Sequence, residues 1–321
     1  MSSEFKIVFM GTPHFAVASL QALLNAGINI ASVITAPDKP AGRGQELSQS
    51  DVKKFALQHN LKLLQPTSLK DENFLQELKT INADLFVVVA FRMLPEAVWN
   101  MPKHGTINLH ASLLPNYRGA APINWAVING EKQTGVTTFF LKHEIDTGDI
   151  INQQKVEIGL NDTAGIVHDK LMAVGAQLLA QTVNDIKNNV ASRIPQQQIT
   201  EQELKHAPKI FKEDCEINWN SSADDVHNFI RGLSPYPTAW CNVIDDKGNS
   251  TSAKIFLTHV SERNLSQDEI ATDNKTFLSI GCKSGAVDIL EIQLAGKKRL
   301  AIKDFLAGTK TISQWKFLSR K

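Results

Sequence analysis

Ala83-Asp84-Leu85-Phe86-Val87-Val88-Val89-Ala90 is apolar at every position after Asp84. A strand with one wet face alternates polar and apolar residues. An unbroken apolar run of this length fits a strand covered on both faces, as in a parallel sheet between helices. The segments on either side repeat the theme. Residues 6–10 are an apolar run ending at Gly11. Over 15–26, Phe15, Leu20, Leu23 and Leu24 recur at helical spacing before Gly27, a residue type favoured just past a helix end. Residues 29–35 predict a second strand, closed by Ala36-Pro37-Asp38, and 61–64 a short third. Residues 106–111 and 135–141 predict two more. Strands separated by helical patterns imply βαβ units and a doubly wound, Rossmann-like α/β sheet. The longest predicted helix spans 163–190, and its apolar stripe (Val167, Leu171, Val174, Leu178 and Val183 among others) reads as core packing.

Residues 192–208 change character. They hold Gln196-Gln197-Gln198, two prolines and few large apolar side chains, which predicts a linker. Beyond it, after one helix over 223–232, the signals turn to short strands at 238–244, 253–260, 276–280 and 287–293. Asp246-Lys247-Gly248-Asn249 supplies a hairpin-type turn. Strands at this spacing predict a small, OB-like β-barrel. The expected organisation is an α/β domain over 1–190, a linker over 191–208 and a barrel domain over 209–321.

The 321 residues include 34 Lys+Arg, 33 Asp+Glu and 42% hydrophobic side chains. This composition describes a globular protein and excludes disordered and collagen-like classes. At this length roughly three quarters of the unfolded surface can be buried. The longest wholly apolar stretch, 85–91, is far short of the ~20 residues of a membrane span, so no membrane contact is expected. Met1-Ser2-Ser3-Glu4-Phe5-Lys6 lacks a basic region followed by an apolar one. Cys215, Cys241 and Cys282 are odd in number and widely spaced, without CxxC metal spacing. A monomer in a reducing cytoplasm is expected. Residues 295–321 carry eight basic side chains and one acid, Asp304. Such an excess predicts contact with a polyanion, although a solvated tail has the same composition.

Gly11-Thr12-Pro13 follows the first strand with one glycine, where a dinucleotide fingerprint needs G-x-G-x-x-G. Pro13 also removes a backbone donor, so no nucleotide cofactor is expected. More informative is Thr106-Ile107-Asn108-Leu109-His110. Residues two apart in a strand share a face, so Asn108 and His110 project together at the strand's C-terminal end, where open α/β sheets build their sites. An amide can donate to a developing oxyanion, and an imidazole can donate or accept a proton. A histidine in a strand is also a common structural residue. Asp146, in Asp146-Thr147-Gly148-Asp149, follows the next strand and is expected at the same edge. It could orient the imidazole or accept a proton, or simply cap a turn. Asp-Thr-Gly also matches aspartic proteases, but those need a second copy and this chain has one. His143 with Asp146 lacks a third partner at metal-ligand spacing, so no metal is expected.

Three segments together resemble the signature of the folate-dependent formyltransferases: Asn108 to Pro115, Tyr117-Arg118-Gly119-Ala120-Ala121-Pro122-Ile123, and Asp146 to Asp149. Asn108, His110 and Asp146 match that family's catalytic trio. Phe9-Met10-Gly11-Thr12-Pro13, Asp38-Lys39-Pro40-Ala41-Gly42-Arg43-Gly44, Arg231-Gly232-Leu233-Ser234-Pro235-Tyr236-Pro237 and Gln293-Leu294-Ala295-Gly296-Lys297-Lys298-Arg299 are similar to the members that act on methionyl-tRNA. The resemblance implies a formyl donor, 10-formyltetrahydrofolate, and an acceptor, initiator methionyl-tRNA, with neither metal nor nucleotide cofactor. It implies that Ser112, Leu113, Leu114 and Pro115 hold the folate. Phe91, Arg92, Met93 and Leu94 would line the pterin pocket through their backbone. Arg43, flanked by glycines in the loop 37–50, is expected to contact tRNA, and Lys297, Lys298 and Arg299 its phosphates.

Two positions depart from the family pattern. Gln45-Glu46 stand where lysines are common, and Glu144-Ile145 replace a usual Gly-Leu pair before Asp146. Glycine replaced by Glu144 raises the question of the loop's φ/ψ. The alternatives are another folate-dependent N-formyltransferase, for a sugar amine or glycinamide ribonucleotide, or a non-catalytic tRNA-binding module. The first would share the trio without the basic barrel; the second would not need the trio at all.

Overall fold

Leu85–Val89 is buried at all five positions and forms the central strand of a seven-stranded sheet. In the computed structural model, which describes residues 5–41, 46–196 and 203–320, that sheet belongs to the first of two compact units. Its strands are β1 (Lys6–Gly11), β2 (Asn29–Ile34), β3 (Leu63–Leu64), β4 (Leu85–Val89), β5 (Thr106–His110), β6 (Gln133–Phe140) and β7 (Ile150–Glu157). Their spatial order is β7-β6-β5-β4-β1-β2-β3. β1 pairs in parallel with β2 and β4, β4 with β5, and β2 with β3. The helices are α1 (His14–Asn25), α2 (Asp51–Gln58), α3 (Glu72–Ile81) and α4 (Ala164–Lys187). The predicted strand and helix positions match α1, α4 and β1 to β6 to within a few residues, whereas the sequence reading does not predict β7, and Gly27 takes φ +68 just past α1.

Helices cover both faces of the sheet. Phe74 and Leu78 of α3 pack in one cluster with Val8, Met10, Phe86 and Val88. Asp71 caps α3 by accepting from the Phe74 N–H at 2.9 Å. On the other face α4 comes close at Gly175, where a Cβ would stand 3.0 Å from Leu109 and 3.3 Å from Val136. Part of the expected loop 37–50 is a short antiparallel pair, Lys39–Ala41 with Glu46–Ser48.

One strand departs from the βαβ expectation. β6 pairs antiparallel with β5, Phe140 opposite Ile107 and Thr137 opposite His110. A parallel neighbour needs a crossover helix lying on the same sheet. The helix between these strands, Pro122–Ile128, belongs instead to the second unit.

That second unit is assembled from Ala120–Thr134, Glu157–Val167 and His206–Lys321. It contains α5 (Ala223–Gly232) and the strands β8 (Ala239–Ile244), β9 (Ser250–Ser261), β10 (Ile270–Thr272), β11 (Leu278–Gly281) and β12 (Ala286–Leu294), followed by α6 (Ile302–Gly308) and β13 (Lys316–Leu318). The antiparallel order β10-β11-β12-β9-β8-β13 curls into a half-barrel. Trp219, Ile230, Cys241, Ile255 and Ile292 lie in its core. The flanking segments are part of this core structure. Ile128 packs so close to α5 that a Cβ at Gly232 would meet it at 2.5 Å, and Asn124 donates to the Gly232 carbonyl at 2.8 Å. Arg231 donates to the Asp162 carbonyl at 2.8 Å. Asp245 turns the β8–β9 hairpin by accepting the N–H groups of Lys247 and Asn249. All three cysteines are free and buried. Burial pushes the Cys241 thiol up to about 12 and that of Cys282 up to about 11. Among the described residues no helix is long and apolar enough to cross a membrane.

Candidate active site

Strand alternation in β5 turns Leu109 toward Gly175 of α4 and leaves Asn108 and His110 on the opposite face. The loop leaving β5 is pinned by Thr137. Its hydroxyl donates to the Ser112 carbonyl at 2.7 Å. It accepts from the Leu114 N–H at 3.2 Å and the Gln153 amide at 2.9 Å. One hydroxyl therefore fills its donor and both its acceptor sites. Ser112 donates to the Asn116 carbonyl at 2.7 Å and is fully buried. Ser112 and Leu114 thus lie in the interior and shape the loop, whereas Leu113 and Pro115 are half-buried.

This loop returns the Tyr117 carbonyl to His110, 2.9 Å from Nε2. A carbonyl oxygen only accepts, so Nε2 carries the hydrogen and the neutral ring presents its lone pair at Nδ1. Nδ1 lies 3.8 Å from Asp146 Oδ2. A proton arriving at Nδ1 would meet a carboxylate, in a site where the imidazole is 8% exposed. The half-buried Asn108 has no hydrogen-bond partner for its amide among the described residues, so its donors are free for a ligand.

Asp146 reaches this edge by a route the strand order did not predict. Because β6 is antiparallel, its end lies beside the start of β5, and the loop 141–149 carries Asp146 back toward His110. Asp146 itself adopts φ +56, a left-handed conformation that Asp tolerates better than most residues. Glu144 is not among the residues with positive φ, so the missing glycine falls at an ordinary backbone position. The Gly119 N–H donates to Asp146 Oδ2 at 3.0 Å. Gly148 follows where nothing larger fits, since a Cβ would stand 1.5 Å from the Phe140 carbonyl oxygen.

Phe91, Arg92, Met93 and Leu94 follow β4 at the same sheet edge. The Arg92 guanidinium donates to the Pro66 carbonyl and, at 3.0 Å, to that of Thr67. Met93 is 75% exposed and Leu94 is buried. Among the described residues the backbone of these four makes no backbone hydrogen bond, so its donors and acceptors are open to a planar polar ring. Lys297 and Lys298 stand exposed in a turn after β12, and neither ammonium has a partner among the described residues. Arg299 is different: it donates to Glu291 and lies 4.2 Å above the Phe256 ring. Arg43 lies outside the described residues. Among those residues no group of three His, Cys, Asp or Glu side chains could hold a metal ion. Sequence reasoning missed Thr137, Gln153 and the Tyr117 carbonyl; nothing local marks a threonine one strand away as the support of a loop.

Two family models match the chain, formyl transferase over residues 5–183 and formyl transferase, C-terminal domain, over 209–310. The chain is 54% identical over 308 residues to the methionyl-tRNA formyltransferase of Bacteroides fragilis, covering 95% of each. It is 53% identical over 313 residues to that of Azobacteroides pseudotrichonymphae, covering 96% of this chain and 97% of the relative. Among solved structures, the N-formyltransferase from Helicobacter canadensis, in complex with folinic acid and dTDP-3-aminofucose, matches with a TM-score of 0.66 at 20% identity. That match covers 92% of this chain and 100% of the other, a likeness of fold. With both family models matched and identity above one half sustained over nearly its whole length, the chain belongs to the formyl transferase family.

Proposed function

We propose that this chain transfers the formyl group of 10-formyltetrahydrofolate to the α-amino group of initiator methionyl-tRNA in the cytoplasm, giving N-formylmethionyl-tRNA for translation initiation. The observation that carries the reading is the His110 ring, held at Nε2 by the Tyr117 carbonyl and facing Asp146 at 3.8 Å beside the free amide of Asn108. The relatives at 53–54% identity support methionyl-tRNA as the acceptor.

The neutral amine attacks the formyl carbon, and negative charge grows on the formyl oxygen. Asn108 donates to that oxygen, and a proton on His110 Nδ1 adds positive charge beside it. Asp146 holds that proton in place and receives the one leaving the amine, directly or through water. The proton taken from the amine then passes on to the folate nitrogen as its bond to the formyl carbon breaks, so no net proton is gained or lost. The open backbone of Phe91–Leu94 suits the pterin edge, with Leu113 and Pro115 against the folate and Ser112 and Leu114 shaping the loop beneath it. The chain would act as a monomer. Residues 1–190 would act as the catalytic domain, 191–208 as the linker and 209–321 as the tRNA-binding domain, with Arg43, Lys297, Lys298 and Arg299 meeting the tRNA.

The test is incubation of the purified protein with the formyl donor and methionine-charged initiator tRNA, followed by detection of formylmethionine. Formylation of a sugar amine or glycinamide ribonucleotide instead would assign a sister activity. Binding of tRNA without transfer would leave only a binding module.

A further inference from the structure

The stretch 191–208 reads in sequence as a loose tether, but its first residues are firmly held. Ile194 forms an antiparallel bridge with Ile150, its N–H donating at 2.9 Å and its carbonyl accepting at 2.8 Å. The Arg193 guanidinium lies 3.8 Å above the Phe140 ring. Two residues beyond Ile194, the side-chain amide of Gln196 donates to the Asp146 carbonyl at 2.8 Å and to the Gly148 carbonyl at 2.9 Å. Its Oε1 accepts from the Arg118 guanidinium. The residue after Arg118 is Gly119, whose N–H donates to Asp146 Oδ2. The hydrogen bonds close a ring: Asp146 backbone, Gln196, Arg118, Gly119, Asp146 carboxylate.

We propose that Gln196 is a positioning residue, a latch that holds the Asp146 loop so that the carboxylate faces His110 Nδ1. The inference rests on the role given to Asp146 above. Residues 142–145 of this loop are exposed, so no packing confines its outer side. Asp146 is also in a left-handed conformation that its neighbours must sustain. The chemistry of the latch suits an amide alone. Two hydrogens serve two carbonyls, and the oxygen serves an arginine. A glutamate would set oxygens against the carbonyls, and a lysine could not accept from Arg118.

The test uses full-length Gln196→Ala and Gln196→Glu. Displacing a reacting group by about 1 Å can cost on the order of 100-fold, so kcat should fall about 10- to 100-fold with KM for both substrates little changed. Thermal unfolding should barely move. Hydrogen exchange gives a reading independent of activity: Gly119 is exposed and its N–H is held by Asp146 Oδ2, so it should exchange faster in both variants. In an Asp146→Ala background, Gln196→Ala should cost less than about twofold more, because a residue acting through Asp146 has nothing left to position. Unchanged kcat in both variants while Asp146→Ala is crippled would overturn the latch, as would a full additional loss in the Asp146→Ala background. If Asp146→Ala were fully active, the reading of Asp146 would fail. Unchanged Gly119 exchange would overturn the latch whatever Asp146 does.

Discussion

The end of β5 and the turn after β12 both carry charge, and they hold it in opposite ways. At β5, His110 is fixed at one nitrogen by a carbonyl, Asp146 by the Gly119 N–H, and the intervening loop by a threonine with no hydrogen-bonding capacity left over. In the turn, Lys297 and Lys298 project into water with no partner among the described residues. On the proposed function, the contrast follows from what each region would do. Bond making depends on placement at the ångström scale. A polyanion is held by charge that long, mobile side chains deliver from many conformations, and such charge positions a ligand without reading sequence. Arg299, tied to Glu291, sits between the two designs.

The largest expected effects lie at the rigid end. His110→Ala and Asn108→Ala should each lower kcat by about 100- to 1000-fold, the range for losing one oxyanion donor, and Asp146→Asn by about 100-fold or more through the lost proton acceptor, with circular dichroism unchanged. Turnover near wild type in any one of them removes that residue from the chemistry. Gly148→Ala comes next. Its Cβ cannot coexist with the Phe140 carbonyl where it is, so the Asp146 loop must move, and kcat should fall by about 10-fold or more. Normal turnover there would show that the edge tolerates slack and would weaken the contrast drawn above. Arg43→Ala should raise KM for tRNA about 10-fold, the size of one charged hydrogen bond removed, and leave KM for the formyl donor alone. Equal changes in both would point to a disturbed site. The smallest effects belong to the turn. Neutralising Lys297, Lys298 and Arg299 together should weaken all tRNAs alike and reduce the salt slope by about one for each phosphate left without its cation. Arg299→Ala alone should change that slope least, because Glu291 already neutralises it; a slope change matching that of either lysine would contradict the pairing.

Much of the sheet could be read from residue order, because burial on two faces leaves unbroken apolar runs such as Leu85–Val89. Strand direction could not. Whether β6 runs parallel or antiparallel to β5 depends on which unit the intervening helix joins, and Pro122–Ile128 carries no mark of that. α2 and α3 are also faint in the sequence, since their stability comes from caps at Ser50 and Asp71 and from a narrow buried face. At the site, strand periodicity sufficed to put Asn108 beside His110. The strained backbone of the neighbouring loop lies two residues beyond Glu144, because the left-handed position is Asp146 itself. Gln196 is invisible for a simpler reason: in Gln196-Gln197-Gln198 nothing local distinguishes one glutamine from the next, and its partners are two carbonyls some fifty residues away in sequence and Arg118 farther still.

The interleaving of the two compact units bears on how such proteins can recombine. A splice at residue 209 looks clean on paper, since one family match ends and another begins on either side of the linker. Yet a fragment starting there would leave behind Pro122–Ile128 and Glu157–Val167. It would uncover the face of α5 on which Ile128 rests and strand the guanidinium of Arg231 without the Asp162 carbonyl. A chimera that exchanges only the C-terminal piece between relatives therefore inherits a foreign helix and a foreign loop at its core. Successful exchange requires all three segments to travel together, so lineages should change them in concert.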